Sequence, residues 1–151
     1  MPIMSISQLY QQTIKLHNDN PVGYAPDFVA TIEEEGYNPS CGDELTLSLC
    51  IDAQGEISPI GFTADACAIC KASASLMCEH SLNKHAQQLL IDIEVLSEAI
   101  RLGHDIPFEN LYCLGQVSRH RSRINCALLP WQTLAQAIRK SLRSEMEKSN
   151  A

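Results

Sequence analysis

The sequence predicts an α+β protein, with a small antiparallel β-sheet of about three strands packed against several helices. Three observations carry this. Leu45, Leu47, Leu49 and Ile51 alternate with Glu44, Thr46, Ser48 and Cys50, the period of two that marks a strand with one buried face. Asp52-Ala53-Gln54-Gly55-Glu56 then supplies a turn and Ile57 to Thr63 a returning strand, so the two runs form a β-hairpin. Before and after the hairpin, apolar residues recur at the three- and four-residue spacing of amphipathic helices.

The first helix starts at Ser5, where Ser5 and Gln8 fit a capping box that satisfies two orphan amides. Ile6, Leu9, Tyr10 and Ile14 share one face, and Asn18-Asp19-Asn20-Pro21 ends the helix. Between Val22 and Ser40 the pattern is weak; Phe28 to Ile32 reads as an edge strand. After the hairpin, Asp65 is placed to cap a helix beginning near Cys67. Its small-residue run Ala72-Ser73-Ala74-Ser75 permits close packing against the sheet. Further helices are expected from Asp92 to Leu102, closed by Gly103, and from Glu109 to Leu114, closed by Gly115. Leu134, Ala137, Ile138 and Leu142 mark the last helix, with Pro130 in or near its first turn. No repeat or linker divides the chain, so residues 1–151 are expected to form a single domain.

A chain of 151 residues can bury one real core without staples. Eleven Lys and Arg against 18 Asp and Glu give a formal net charge of −7, which argues against a nucleic-acid partner. Met1 to Asn18 lacks the basic start and apolar run of a signal peptide. No apolar stretch approaches the roughly 18 residues that span a bilayer. The expectation is a cytoplasmic protein without membrane association, a monomer or weak homo-oligomer. Seven cysteines, an odd number, then point to metal or redox chemistry rather than a disulfide framework.

Cys41-Gly42-Asp43 sits just before the first hairpin strand. In extended chain, residues two apart point to one side, and glycine lets the backbone fold close to an ion. The triplet reads as two metal ligands, or as a surface turn that contains a cysteine. Cys67 opens a helix, where dipole and free amides favour thiolate; the alternative is a small buried hydrophobe. The hairpin joins these segments, because the start of its first strand lies beside the end of its second. A fourth ligand at Cys126 would complete three thiolates and one carboxylate, a set suited to tetrahedral zinc and usable by iron. Such a set is anionic overall and favours cationic neighbours. Arg123 is read as one, and Arg119 and Arg121 as part of a solvated turn.

Three blocks in order resemble one family, the IscU/NifU N-terminal scaffold proteins, and within it the SufU branch. They are Asn38-Pro39-Ser40-Cys41-Gly42-Asp43, Phe62-Thr63-Ala64-Asp65-Ala66-Cys67-Ala68-Ile69 running into Ala72-Ser73-Ala74-Ser75-Leu76-Met77, and Arg123-Ile124-Asn125-Cys126-Ala127-Leu128-Leu129-Pro130-Trp131. The resemblance covers roughly Leu9 to Arg143. IscU-type scaffolds carry a His just before the third cysteine; here Asn125 stands there, and Cys67 and Cys126 are 59 positions apart, the longer SufU-like connection. The resemblance implies a SufE/NifU-like fold and a zinc site of Cys41, Asp43, Cys67 and Cys126. It also implies a SufS-like cysteine desulfurase as partner, Cys41 as persulfide acceptor, and a downstream SUF assembly complex. Arg123, three before the last cysteine, matches a further SufU feature.

Two positions depart from that branch. Asn125 replaces a usual Lys, and Cys70 replaces a small residue such as Ser. Cys70 is read first as core and second as a spare thiol beside the site. Cys50, Cys78 and Cys113 are read as structural, with Cys50 on the polar face of its strand, and His120 is the histidine closest in sequence to the site.

The resulting expectation is a zinc-dependent relay of persulfide sulfur. The alternative is an IscU-like scaffold holding a nascent iron–sulfur cluster. Either is a carrier before it is an enzyme, although sulfurtransferase activity with a desulfurase would fit. A remote alternative is a thiol–disulfide oxidoreductase using Cys67-Ala68-Ile69-Cys70, which leaves Cys41, Asp43 and Cys126 unexplained. A structural zinc domain is the remaining one.

Overall fold

A computed structural model of the chain describes residues 5–149. The elements run α1 (Ile6–Asp19), β1 (Ile32–Asn38), β2 (Asp43–Ile51), β3 (Ile57–Asp65), α2 (Ala68–Ser81), α3 (Ala86–Leu102), a 3-10 helix (Glu109–Arg119) and α4 (Arg121–Ser149). The three strands pair antiparallel in the order β1-β2-β3. This is the α+β class expected, one small sheet with helices against it.

The hairpin is where the alternation put it. Leu45, Leu47 and Leu49 are buried, and opposite them lie Ile60 and Phe62 of β3. Asp43 is in phase with this row, two residues before Leu45, so the same alternation turns its carboxylate inward and buries it. β3 runs on to Asp65, two residues past the expected end. Asp65 is therefore strand, and the N-cap of α2 is Cys67 instead.

α1 starts with the expected capping box: Ser5 Oγ accepts from the Gln8 N–H at 3.1 Å and Gln8 Oε1 from the Ser5 N–H at 2.9 Å. Its inward face carries Ile14 and His17, while Leu9 is exposed; the side chain of Ile6 lies outside the described residues. Small residues on α2 do permit close approach, chiefly to other helices. Ser75 Oγ lies 2.7 Å from His17 Nδ1 of α1, and Ser73 Oγ donates to the Ala127 carbonyl of α4 at 2.6 Å. Trp131, fully buried, donates through Nε1 to the same Ser73 Oγ at 2.9 Å.

Several expected boundaries move. The edge strand is Ile32–Asn38 rather than Phe28 to Ile32; Val29 points almost wholly into solvent. α3 begins at Ala86, six residues before the expected start, and ends as expected on Gly103 in the left-handed region. The Glu109 helix is a 3-10 helix that continues through Gly115 to Arg119. α4 begins at Arg121, so Cys126 lies within the helix rather than before it, and Pro130 is in its interior. Pro130 lacks the N–H that would bond the Cys126 carbonyl one turn back. Among the described residues no helix is long and apolar enough to cross a membrane.

α4 is laid along the inward row of β1 in the opposite sense. Glu34, buried, accepts from Lys140 Nζ at 2.8 Å and also bonds Gln136. Gly36 faces Thr133 so closely that a Cβ there would overlap Thr133 Oγ1. Asn38, last in the row, brings its Nδ2 to 3.7 Å from Cys126 Sγ. This stepwise contact carries Cys126 to the β1–β2 turn.

Candidate metal centre

The centre forms where three segments meet: the turn between β1 and β2, the start of α2, and the second turn of α4. The Asn38 carbonyl accepts from the Cys41 N–H at 3.3 Å and the Gly42 N–H at 2.9 Å, which closes the turn. Gly42 adopts φ +71, a left-handed conformation in which a side chain is strained, although open space surrounds it. Cys41 is left exposed at the turn and Asp43 buried as the first residue of β2.

Asp43 uses its two oxygens differently. Oδ1 accepts from the Cys67 backbone N–H at 2.8 Å. Oδ2 accepts from Asn38 Nδ2 at 3.4 Å and lies 3.9 Å from Cys67 Sγ. Cys67, half-buried, caps α2: its sulfur accepts from the Cys70 N–H at 3.4 Å. Cys126 is fully buried, with its Sγ 3.1 Å from Cys41 Sγ.

One ligand atom each from Cys41, Asp43 and Cys126 lies within 4.8 Å of the other two. Cys67 falls outside that tight group but adjoins it through Asp43. Zinc bonds of about 2.0–2.3 Å in a tetrahedron set ligand atoms roughly 3.3–3.8 Å apart. The Cys41–Cys126 separation of 3.1 Å is shorter than that range and the Cys67–Asp43 separation of 3.9 Å slightly longer, so Cys41, Asp43 and Cys126 suit a thiolate-binding ion in chemistry, with Cys67 as the nearest further thiol.

Charge at the site also favours a cation. Burial pushes the Cys126 thiol up, and its hydrogen bonds with Cys41 and Asp43 add to the effect. A nearby cation would reverse that balance. Arg123, exposed one turn before Cys126, is held more firmly protonated by a hydrogen bond with Cys126 and then by the charge of Cys67. Arg119, His120 and Arg121 are exposed, as a solvated turn requires.

Cys70 is fully buried within the apolar core. Burial raises its thiol first, with the neighbouring Asp43, Cys67 and Cys41 adding to it. Cys78 and Cys113 are buried too, pushed up to about 12 and about 11 by burial. Cys50 is half-buried, its sulfur 3.5 Å from the Val29 carbonyl. All seven cysteines are free thiols.

Sequence reasoning missed two neighbours of the site. Asn38 was one residue of a matching block; its being opposite Asp43 in the β1–β2 register gives it contact with the donors. Tyr10 lies on the inward-facing side of α1. It borders a surface pocket with Ala68 and Ile69 at the start of α2, next to Cys67, and its phenol is raised by burial, then by Cys113, with Arg123 opposing. Nothing local to α1 signals that proximity.

Fold and site together define a small α+β protein with a cysteine-rich candidate metal centre at the β1–β2 turn. The sequence matches the NifU-like N-terminal domain family over residues 9–148, and the chain belongs to that family of iron–sulfur cluster assembly scaffolds. It is 34% identical over 116 residues to the iron–sulfur cluster assembly scaffold protein IscU of Thermotoga maritima, covering 74% of this chain and 79% of that one. It is 28% identical over 141 residues to the zinc-dependent sulfurtransferase SufU of Bacillus subtilis, covering 90% and 93%. Among solved structures, a cluster assembly scaffold protein for the SUF system from Fervidobacterium islandicum superposes with a TM-score of 0.70 at 30% identity, covering 87% of this chain and 94% of that one. Relatives of both names lie at comparable identity, so similarity alone does not separate the IscU from the SufU type.

Proposed function

We propose that the chain acts as one NifU N-terminal-like domain of the SufU type, accepting persulfide sulfur from a SufS-like cysteine desulfurase and relaying it to a SUF assembly complex. The observation that carries this reading is the unequal exposure of the donors. Cys41 is exposed, whereas Cys126 and Asp43 are buried beneath it and Cys67 is half-buried. An incoming persulfide therefore meets Cys41 first.

In the transfer, the Cys41 thiolate attacks the terminal sulfur of the donor's persulfide. The donor's S–S bond breaks, its cysteine leaves as thiolate, and Cys41 retains the sulfur as a persulfide. No net oxidation or reduction is needed. Cys41, Asp43, Cys67 and Cys126 would hold zinc, which when bound keeps thiolates deprotonated near neutral pH. Arg123 offsets part of the negative charge of the set.

The second reading, an IscU-like scaffold for a nascent cluster, is favoured by the Thermotoga relative and uses the same donors. Purification without oxygen, metal analysis and incubation with a SufS-like desulfurase and cysteine separate the two. The relay predicts zinc and one added sulfur on Cys41, lost in Cys41→Ser. Iron and acid-labile sulfide bound without zinc would favour the scaffold, and a chain that takes neither metal nor sulfur contradicts both. A Cys67–Cys70 redox pair is opposed by the burial and raised thiol of Cys70.

A further inference from the structure

We propose that Asn38 is the positioning residue of the centre, holding the Cys41 turn, the Asp43 carboxylate and the Cys126 thiol in one arrangement. It is buried at the end of β1 and works through both its backbone and its side chain. Its carbonyl closes the turn on the Cys41 and Gly42 amides, and its Oδ1 accepts from the Ser40 N–H at 3.3 Å. Its Nδ2 donates to Asp43 Oδ2 at 3.4 Å and faces Cys126 Sγ at 3.7 Å.

Those two sets of contacts separate a turn residue from a positioning one. Asn favours turns because its Oδ1 can accept from backbone amides nearby, and that needs only the oxygen. The Nδ2 end contributes nothing to the turn. It reaches β2 and α4, the two elements that supply the buried donors, and an amide can only donate there. Its two donor protons therefore orient the Asp43 carboxylate and the Cys126 sulfur towards the Cys41 turn. Partners that orient metal ligands in this way typically cost 10–100-fold in metal affinity when removed.

The inference rests on the metal reading for one of its tests and is independent of it for the other. In the metal-free full-length chain, Cys41 and Cys126 can be joined by diamide, which takes up two electrons and two protons from the thiol pair. The rate of that disulfide, followed by peptide mass mapping, reports how well the two sulfurs are held together. Asn38→Ala is expected to slow it about tenfold or more, since small misplacements of reacting atoms are costly. Asn38→Asp keeps the acceptor for Ser40 but has no amide for Asp43 and Cys126, and is expected to be slowed as well. Circular dichroism at the assay temperature verifies that each variant is folded. Zinc affinity by chelator competition should fall 10–100-fold for Asn38→Ala. Asn38→Asp forming the disulfide at the wild-type rate would overturn the proposal, leaving Asn38 a turn residue. Should the wild type bind no zinc, the metal reading fails, and the disulfide rate still decides for Asn38.

Discussion

Asp43 Oδ1 accepts the Cys67 backbone N–H at 2.8 Å, so the first residue of β2 is tied to the residue that caps α2. One carboxylate oxygen thus has a structural task, and the other faces the sulfur donors. Removing Asp43 should be felt even without metal. Asp43→Ala leaves the Cys67 amide without its acceptor and is expected to cost about 1–3 kcal/mol in the metal-free chain. Asp43→Asn retains an oxygen for that amide and should cost less than half as much. Urea midpoints of the two variants check this; equal losses would show that the tie is not what stabilises the junction.

The turn that presents Cys41 depends on backbone conformation rather than on space. A side chain at Gly42 would touch nothing within 4 Å, yet φ is +71. Gly42→Ala is therefore expected to cost about 1–2 kcal/mol by strain alone, and Gly42→Asn less, because Asn tolerates the left-handed region. Thermal unfolding of the metal-free variants measures both.

His80 gives the chain an acid sensitivity. It is buried between Trp131 and Phe108, within 3.1 Å of Asp92 Oδ2, with Lys84 Nζ and Asn110 also at its ring. Burial lowers its pKa below the ordinary value, against the opposing pull of Asp92. The unfolded chain then binds more protons than the folded one once pH falls below about 6.5. Stability from this group is full above that value and is lost as pH falls towards the folded pKa, by up to about 1.4 kcal/mol per pH unit. His80→Gln, which cannot titrate, should show a smaller loss of urea midpoint than wild type between pH 7.5 and 5.5, both values within the roughly neutral window where His titrates. Parallel losses would contradict the assignment.

Thiol reactivity should follow exposure. Cys41 is exposed, while Cys70 is fully buried and its thiol raised. In the metal-free chain, iodoacetamide is expected to label Cys41 first and Cys70 only on unfolding. Cys70→Ala should leave the metal content unchanged. Early labelling of Cys70, or loss of metal on its replacement, would move it from the core into the site.

The hairpin was legible because Leu45, Leu47 and Leu49 alternate with polar residues, and the same phase buried Asp43. β1 was not, because its inward row is Glu34, Gly36 and Asn38, which face Lys140, Thr133 and Cys126 rather than an apolar core. A strand whose buried face is polar gives no hydrophobic period. The start of α4 was hidden for a similar reason: Arg121-Ser122-Arg123 is a polar, exposed first turn, and Pro130 suggested a later beginning. For the centre, topology alone argued that Cys41 and Asp43 neighbour Cys67. The approach of Cys126 depends on how α4 lies along β1, which no local pattern states. Asn38 gave no signal as a participant because its reach to Cys126 spans 88 positions of sequence, and its local contacts with Ser40 and Asp43 look like those of any turn residue.

Whether Cys41, Asp43, Cys67 and Cys126 together hold one metal ion, as proposed, is decided by metal stoichiometry. Wild type and Cys126→Ser, purified without oxygen and without added metal, are analysed for zinc and iron per folded chain. The wild type is expected to carry about one zinc, as for a four-ligand site, and Cys126→Ser to lose most of it with the fold intact. A folded wild type without metal, or a Cys126→Ser variant that keeps its full complement, would contradict the proposal.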